Sequence, residues 1–353
     1  MRNGRQRAVT IAEVARRAEV SPATVSRVMN GRFAGAPEVA DRVRRAAEEL
    51  HYSPSPLARS LALGETRTVA FVVPDIANPT FQAMLSSLSK SAAADGYRVL
   101  VADSAEDPEE EAVLAVETRR GCDGLVLCAP RMPDERLRAL LPVLRPVLLI
   151  NRGSTRLDAP SISVDYGVGI QQLAEHLHGL GHRHFAYLEG PAPSTSNRSR
   201  VEGLRSFAER AGNVRVDHIA AGSSSSDGYA GAGRVRETGA TAVLAYNDLV
   251  AVGLMSALTD QGVTVPADIS VAGFDDIPMV SYIAPRLTTV SVPYGPLGAE
   301  AWKRLHALMR GEVPSHNVIF QPRLQRREST GPPPVPPSAD RTGPAAAGPG
   351  RRR

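Results

Sequence analysis

The side chains that most often carry chemistry are thinly spread in this sequence. Its two cysteines, Cys122 and Cys128, lie in or beside an apolar strand pattern, and without metal or disulfide spacing they read as small buried hydrophobes of a reducing compartment. His182 and His184 in GHRHF alternate as strand-edge residues do, and no grouping of His, Cys and acidic residues has the spacing of a zinc site. The glycines of LGETRT and GAGRV do not follow a strand as a dinucleotide or phosphate-loop fingerprint requires, so no metal and no cofactor is implied. Arginine is what stands out. Residues 1–67 hold 12 arginines, no lysine and 7 acidic residues, a net of +5; residues 68–322 carry 22 basic and 28 acidic groups, a net of −6; residues 323–353 carry 7 and 2, a net of +5. A basic front on an acidic body suits a polyanion as partner of the first segment alone.

The elements that must position those arginines are short helices. Thr10 followed by Glu13 has the spacing of a capping box, and Ile11, Val14, Ala15 and Ala18 give the first helix an apolar stripe. Ser21 can cap a second helix that begins with Pro22, where a missing N–H is harmless, and Val25, Val28 and Met29 face inward. A third pattern after Pro37 places Val39, Val43, Ala46, Ala47 and Leu50 on one face. In YSPSPLARSLALG, Ser55 and Pro56 open a run of about two turns that is marginal in water and needs a partner to fold.

From Thr68 the texture changes to apolar strand runs alternating with helical patterns, the signature of parallel sheets covered by helices. Strands are predicted at TVAFVVPD, YRVLVAD, DGLVLCAP and PVLLIN. The pattern then restarts with SISVD and continues through HFAYLEG, AVLAYND and ISVAGFDD, giving two similar α/β units whose cleft, outside the carboxyl ends of the strands, is the expected ligand site. The chain of 353 residues has room for two or three such domains. After about Ser329 the Pro- and Gly-rich TGPPPVPPSADRTGPAAAGPGRRR lacks the apolar residues of a packed element and predicts disorder. With no run of about 18 apolar residues and a polar, arginine-rich start, a cytoplasmic protein is expected.

Several separated motifs occur in an order that resembles the lactose-repressor/galactose-repressor family of bacterial transcription regulators: VTIAEVARRAEVSPATVSRVMNG, YSPSPLARSLALG, VPDIANPTF, GCDGLVL, EHLHGLGHRHFAYLEG, AYNDLVAVGLMSAL, VPADISVAGFDD and LTTVSVP. The resemblance spans Val9 to Thr330. It implies an α/β protein with an N-terminal helix-turn-helix DNA-binding domain over 9–52, a hinge helix and linker over 53–67, and a periplasmic-binding-protein-like effector and dimerisation domain over 68–329. The two parallel-sheet subdomains of that last domain are expected at about 68–160 plus 293–322 and about 161–292, with a tail over 330–353. The partners implied are operator DNA, a small effector of carbohydrate type and a second copy of the chain, and no membrane. A cytoplasmic sugar-binding or sugar-processing protein with an incidental basic head is the competing reading, although the sequence shows no catalytic apparatus.

By the same resemblance, Pro22 and Ala23 stand where operators are chosen, with Thr10, Ser21, Thr24, Ser26, Arg27 and Asn30 at groove edges and phosphates. Pro22 and Ala23 are too small for bidentate base contacts, which shifts readout toward Arg27 and DNA shape. Leu61 matches a leucine that wedges between central base pairs in the minor groove, flanked by Ala58 and Arg59. Asp75, Thr80, Phe81, Arg152, Asp165, Arg200, Asn247 and Asp275 match effector-facing positions; carboxylates accept sugar hydroxyls, Arg200 offers a planar fork and Phe81 can stack on a ring face. Ser223 stands where many sugar-responsive relatives have an aromatic residue. The missing ring removes a stacking platform and implies a small or strongly polar effector or weaker affinity for common sugars; the alternative is that Tyr229, or a residue of a mobile Ser223–Ser226 loop, fills the space.

Overall fold

The computed structural model describes residues 9–52, 65–152, 157–312 and 317–334. The proposed hinge helix, with Ala58, Arg59 and Leu61, lies outside the described residues.

The head consists of α1 (Ile11–Arg17), α2 (Pro22–Met29) and α3 (Pro37–Glu49). Glu13 accepts the Thr10 backbone N–H at 2.7 Å, and Ser21 Oγ accepts the Thr24 N–H at 3.1 Å, so both helix starts are capped as their sequences require. Val14, Ala15, Ala18, Val25, Val28, Val43, Ala46 and Ala47 close a small core. Arg42 Nε fastens α3 to the Ala18 carbonyl at the end of α1, at 2.9 Å.

The body opens with β1 (Thr68–Val73), α4 (Pro79–Ala94), β2 (Arg98–Asp103), α5 (Pro108–Arg120), β3 (Gly124–Cys128), α6 (Asp134–Leu144), β4 (Val147–Ile150) and β5 (Ser161–Val164). It continues through α7 (Tyr166–Gly179), β6 (His184–Glu189), α8 (Thr195–Ala211), β7 (Arg215–Ala220), α9 (Ser225–Thr238), β8 (Ala242–Ala245), α10 (Asp248–Asp260) and β9 (Ser270–Ala272). The chain returns in β10 (Thr289–Ser291), α11 (Tyr294–Met309), β11 (Val318–Phe320) and β12 (Arg323–Gln325). One parallel sheet has the order β11-β5-β4-β3-β1-β2, the other β7-β6-β8-β9, and β10 pairs antiparallel with β12.

This order corrects the expected restart at Ser161. β5 pairs with β4 through Ile150 opposite Ile162, and with β11 through Val318 opposite Ile162, so it is a strand of the first lobe. An apolar strand run signals burial but not which sheet supplies its hydrogen bonds. The chain changes lobes at Asp165, at Val292–Pro293 and again at Gln321–Pro322. α11 packs on α4 in the first lobe, and α7 packs on α8 in the second.

Two further features hold the ends of the body. Asp123 accepts the Thr66 N–H and the Arg67 N–H, both at 2.8 Å, and the Thr66 hydroxyl at 2.9 Å, fixing the segment that precedes β1. At the other end, Thr330 and Gly331, expected within the disordered tail, are bound to the body. His182 Nε2 donates to the Gly331 carbonyl at 2.8 Å, Gly331 N–H donates to Ser270 Oγ at 3.0 Å, and Thr330 Oγ1 meets His176 Nε2 at 2.9 Å. His182 is fully enclosed, and burial lowers its pKa, consistent with a neutral ring at this clasp. Among the described residues no helix is long and apolar enough to cross a membrane.

Candidate DNA interface and inter-lobe cleft

On the head, Ser21, Pro22, Ala23 and Arg27 are exposed on α2, and Thr24, Ser26 and Asn30 are half-buried beside them. Ser21 and Thr24 share a hydroxyl contact of 3.0 Å within the cap, and Asn30 Nδ2 reaches Ser26 Oγ at 3.4 Å. Thr10 is exposed at the start of α1. The geometry therefore places the first turn of α2 and the Arg27 guanidinium on one outer surface. That is the arrangement by which the second helix of such a pair enters a major groove.

The second site is the cleft between the lobes, at the carboxyl ends of the strands. Of the eight effector positions suggested by sequence, Thr80, Phe81, Arg200, Asn247 and Asp275 line one enclosed space of about 30 Å3, and Asp75, Arg152 and Asp165 do not. Asp75 accepts the Ala77 N–H at 2.8 Å and shapes the turn before α4. Asp165 caps α7 through the Val168 N–H at 3.0 Å. Arg152 is buried and committed to protein partners: Asp134 at 2.8 Å, the Pro130 and Met132 carbonyls at 2.9 and 2.6 Å, and Thr195 Oγ1 at 3.0 Å. Since Thr195 opens α8 in the other lobe, Arg152 bridges the lobes instead of facing a ligand.

Arg200, on α8, is the center of the cleft. It is 2% exposed, its Nε and Nη1 have no hydrogen-bond partner, and Nη2 stands 3.9 Å from Asp275 Oδ1. The guanidinium lies over the rings of Phe274, Tyr166 and Tyr246, at 4.0, 4.4 and 4.7 Å from their centroids, which partly offsets its lost hydration. Asp275 accepts the Tyr294 hydroxyl at 2.6 Å. Burial pushes its carboxyl up to about 6, against the opposing pull of Arg200 and of the Tyr294 hydrogen bond. Donors without partners beside a buried carboxylate suit a ligand rich in hydroxyls, which both donate and accept.

Sequence reasoning overlooked Asn78, Arg131, Asn151, Tyr166, Ser196, Tyr246 and Tyr294 in this lining. Asn151 directly precedes Arg152, and Tyr246 directly precedes Asn247, so each was one residue from a named position; reading which side of the strand end faces the cleft would have found them. Neither alternative filler of the missing aromatic at Ser223 stands in the cleft. Tyr229 is half exposed and donates to Asp260 at 2.8 Å. The serine run is no loose loop: Ser224 caps α9 in a capping box with Asp227. The Ser223 carbonyl accepts Asn247 Nδ2 at 2.8 Å, and the rings that line the cleft are those of Phe81, Tyr166, Tyr246 and Tyr294. Among the described residues no group of three or more His, Cys, Asp or Glu could hold a metal ion.

A helix-turn-helix head joined to a two-lobed body with a polar inter-lobe cleft is the build of a DNA-binding transcription regulator. Residues 10–55 match the model of bacterial regulatory proteins of the lacI family, and residues 174–330 match the periplasmic binding protein-like domain. The HTH-type transcriptional repressor CytR of Escherichia coli (strain K12) is 30% identical over 332 residues, covering 92% of this chain and 96% of the relative. A lac repressor dimer bound to operator and the anti-inducer ONPF superposes with a TM-score of 0.83 at 27% identity, over 92% of this chain and all of that one. A lacI family transcriptional regulator from Enterococcus faecium with bound ribose has a TM-score of 0.68 at 26% identity, over 75% of this chain and 99% of that one. The chain belongs to the lacI family of bacterial regulatory proteins. It is a DNA-binding transcription regulator and not an enzyme.

Proposed function

We propose that this protein is a cytoplasmic, homodimeric repressor whose operator affinity is set by a small neutral polyol of carbohydrate type held between the lobes. The observation that carries the effector reading is the buried Arg200, with two N–H-bearing atoms unpartnered, beside Asp275 in a cleft made by both lobes. Arg200 faces Asp275 there, and the other lining guanidinium, Arg131, is paired with Glu106, so the charges are matched within the protein, which favours an uncharged ligand over an ion. The 53–67 segment serves as hinge and linker, with Leu61 as the wedge and Ala58 and Arg59 facing the groove. Exposed Leu100 and Val101 on β2 with Val113 on α5, and exposed Met279 and Tyr282 in the second lobe, supply apolar surface for a twin subunit. Two heads are needed because one covers only a half-site.

An effector acts by favouring one spacing of the lobes, and therefore of the heads, over another. The Arg152–Thr195 contact belongs to the closed spacing. The test is a thermal-shift screen of sugars and polyols, followed by operator binding with each hit. Asp275→Ala is expected to abolish the shift. A shift that survives both Asp275→Ala and Arg200→Ala places the effector elsewhere and defeats the assignment.

A further inference from the structure

The cleft has a floor that belongs wholly to the second lobe. Tyr246, between β8 and α10, is 7% exposed, and its ring is held from several sides. The hydroxyl lies 3.1 Å from Ser194 Oγ and 3.2 Å from Ser196 Oγ, while the Arg200 guanidinium covers one face at 4.7 Å. Gly190 backs the ring so closely that a Cβ there would stand 2.3 Å from Tyr246 Cδ2. The backbone is fixed as well, since Tyr246 N–H donates to the Leu188 carbonyl at 2.9 Å.

Every one of these partners belongs to the second lobe. Parting the lobes draws Thr80 and Phe81 away from Arg200 but leaves Tyr246 where it stands. In the direction of Ser194 and Gly190 the space is thus limited by a wedged ring with a matching glycine. The enclosed volume of about 30 Å3 is room for roughly one water before any widening. Lobe opening widens this space from the first-lobe side, and a groove of about 650 Å3 lined by both lobes borders it at Asn151, Tyr166 and Ser196.

We infer that Tyr246 determines the size of the effector: the ring restricts the site to a single-ring polyol and excludes disaccharides. This rests on the cleft being the effector site. Removing the ring would leave the Ser194 and Ser196 hydroxyls and one face of Arg200 bordering new space, a polar lining fit for the hydroxyls of a second sugar ring.

The test is calorimetric titration of the full-length protein, Tyr246→Ala, Tyr246→Phe, Arg200→Ala and Asp275→Ala with ribose, xylose, glucose, galactose, cellobiose and lactose. The unmodified protein is expected to bind at least one monosaccharide and neither disaccharide. Tyr246→Ala should shift the disaccharide-to-monosaccharide affinity ratio by about tenfold or more, and Tyr246→Phe, which keeps the ring, should leave that ratio unchanged. Should Tyr246→Ala not fold, Tyr246→Leu retains an apolar contact on Gly190 and should move the ratio in the same direction. If Arg200→Ala or Asp275→Ala abolishes binding but the unmodified protein takes a disaccharide as tightly as its best monosaccharide, or Tyr246→Ala leaves the ratio unmoved, the size limit is wrong while the cleft assignment stands. Binding that persists in Arg200→Ala and likewise in Asp275→Ala, or no sugar binding by any of the proteins, overturns the cleft assignment and the size limit with it.

Discussion

Asp123 is the place where the linker to the head is tied to the body, and Asp123→Ala tests that tie. Its carboxylate takes hydrogen bonds from two backbone N–H groups and one hydroxyl, at 2.8 to 2.9 Å. Hydrogen bonds to a charged group contribute roughly 1.5–3 kcal/mol each when buried. Asp123 is only half-buried and Arg67 is exposed, so water screens and replaces part of this, and about 2 kcal/mol for the set is the reasonable magnitude. The loss is local, because the Asp123 backbone N–H still holds the Thr68 carbonyl at 2.7 Å and β1 keeps its neighbours. Amide exchange at Thr66 and Arg67 should therefore quicken by roughly 30-fold, with the amides of β1 unchanged. Operator affinity should fall with it, since heads on slack linkers lose their fixed spacing. Unchanged exchange at Thr66 and Arg67 would refute the tie; faster exchange with unchanged operator binding would show that head spacing does not depend on it.

Glu111 on α5 accepts the Arg131 and Met132 N–H groups, and burial pushes its carboxyl up from 4.5 to about 7. A folded pKa above the unfolded one means that the ionised form is disfavoured, so stability should fall as pH rises from about 4.5 to about 7, by roughly 3 kcal/mol from this group. Thermal melts at pH 5 and pH 8 should differ less for Glu111→Gln than for the unmodified protein. Ser21→Ala removes the α2 cap and should cost about 1 kcal/mol, read as faster amide exchange confined to the head. Leu61→Ala should weaken specific operator binding more than generic DNA binding, whereas Arg59→Ala should weaken both and reduce the salt slope by about 1. Titrations at several salt concentrations separate those two outcomes.

What could be read from sequence was whatever depends on near neighbours in the chain. The caps at Thr10 and Ser21 and the inward faces of α1 and α2 are set within a few residues, and they appear where the spacing requires them. The alternation of strands and helices was legible for the same reason. The sheet to which Ser161–Val164 belongs was not, because its partners include Val318–Phe320, more than 150 residues away. Arg152 illustrates the corresponding limit at the cleft. The resemblance put it at an effector-facing position, but only the fold reveals that Asp134, two carbonyls and Thr195 consume its donors.

The three crossings between lobes have a consequence for how the protein is made. The first sheet lacks its edge strand until Val318–Phe320 has emerged from the ribosome, and the second lobe lacks its clasp until Gly331 has followed. The head, by contrast, has all its core residues by Leu50 and Tyr52. Synthesis thus releases a nascent DNA-binding head long before the body that would pair it with a twin. A chain stopped anywhere in the long interval between would carry one head that covers half a site, attached to two unfinished lobes. Truncated products should accordingly be inert on the operator and fail to compete with intact dimers.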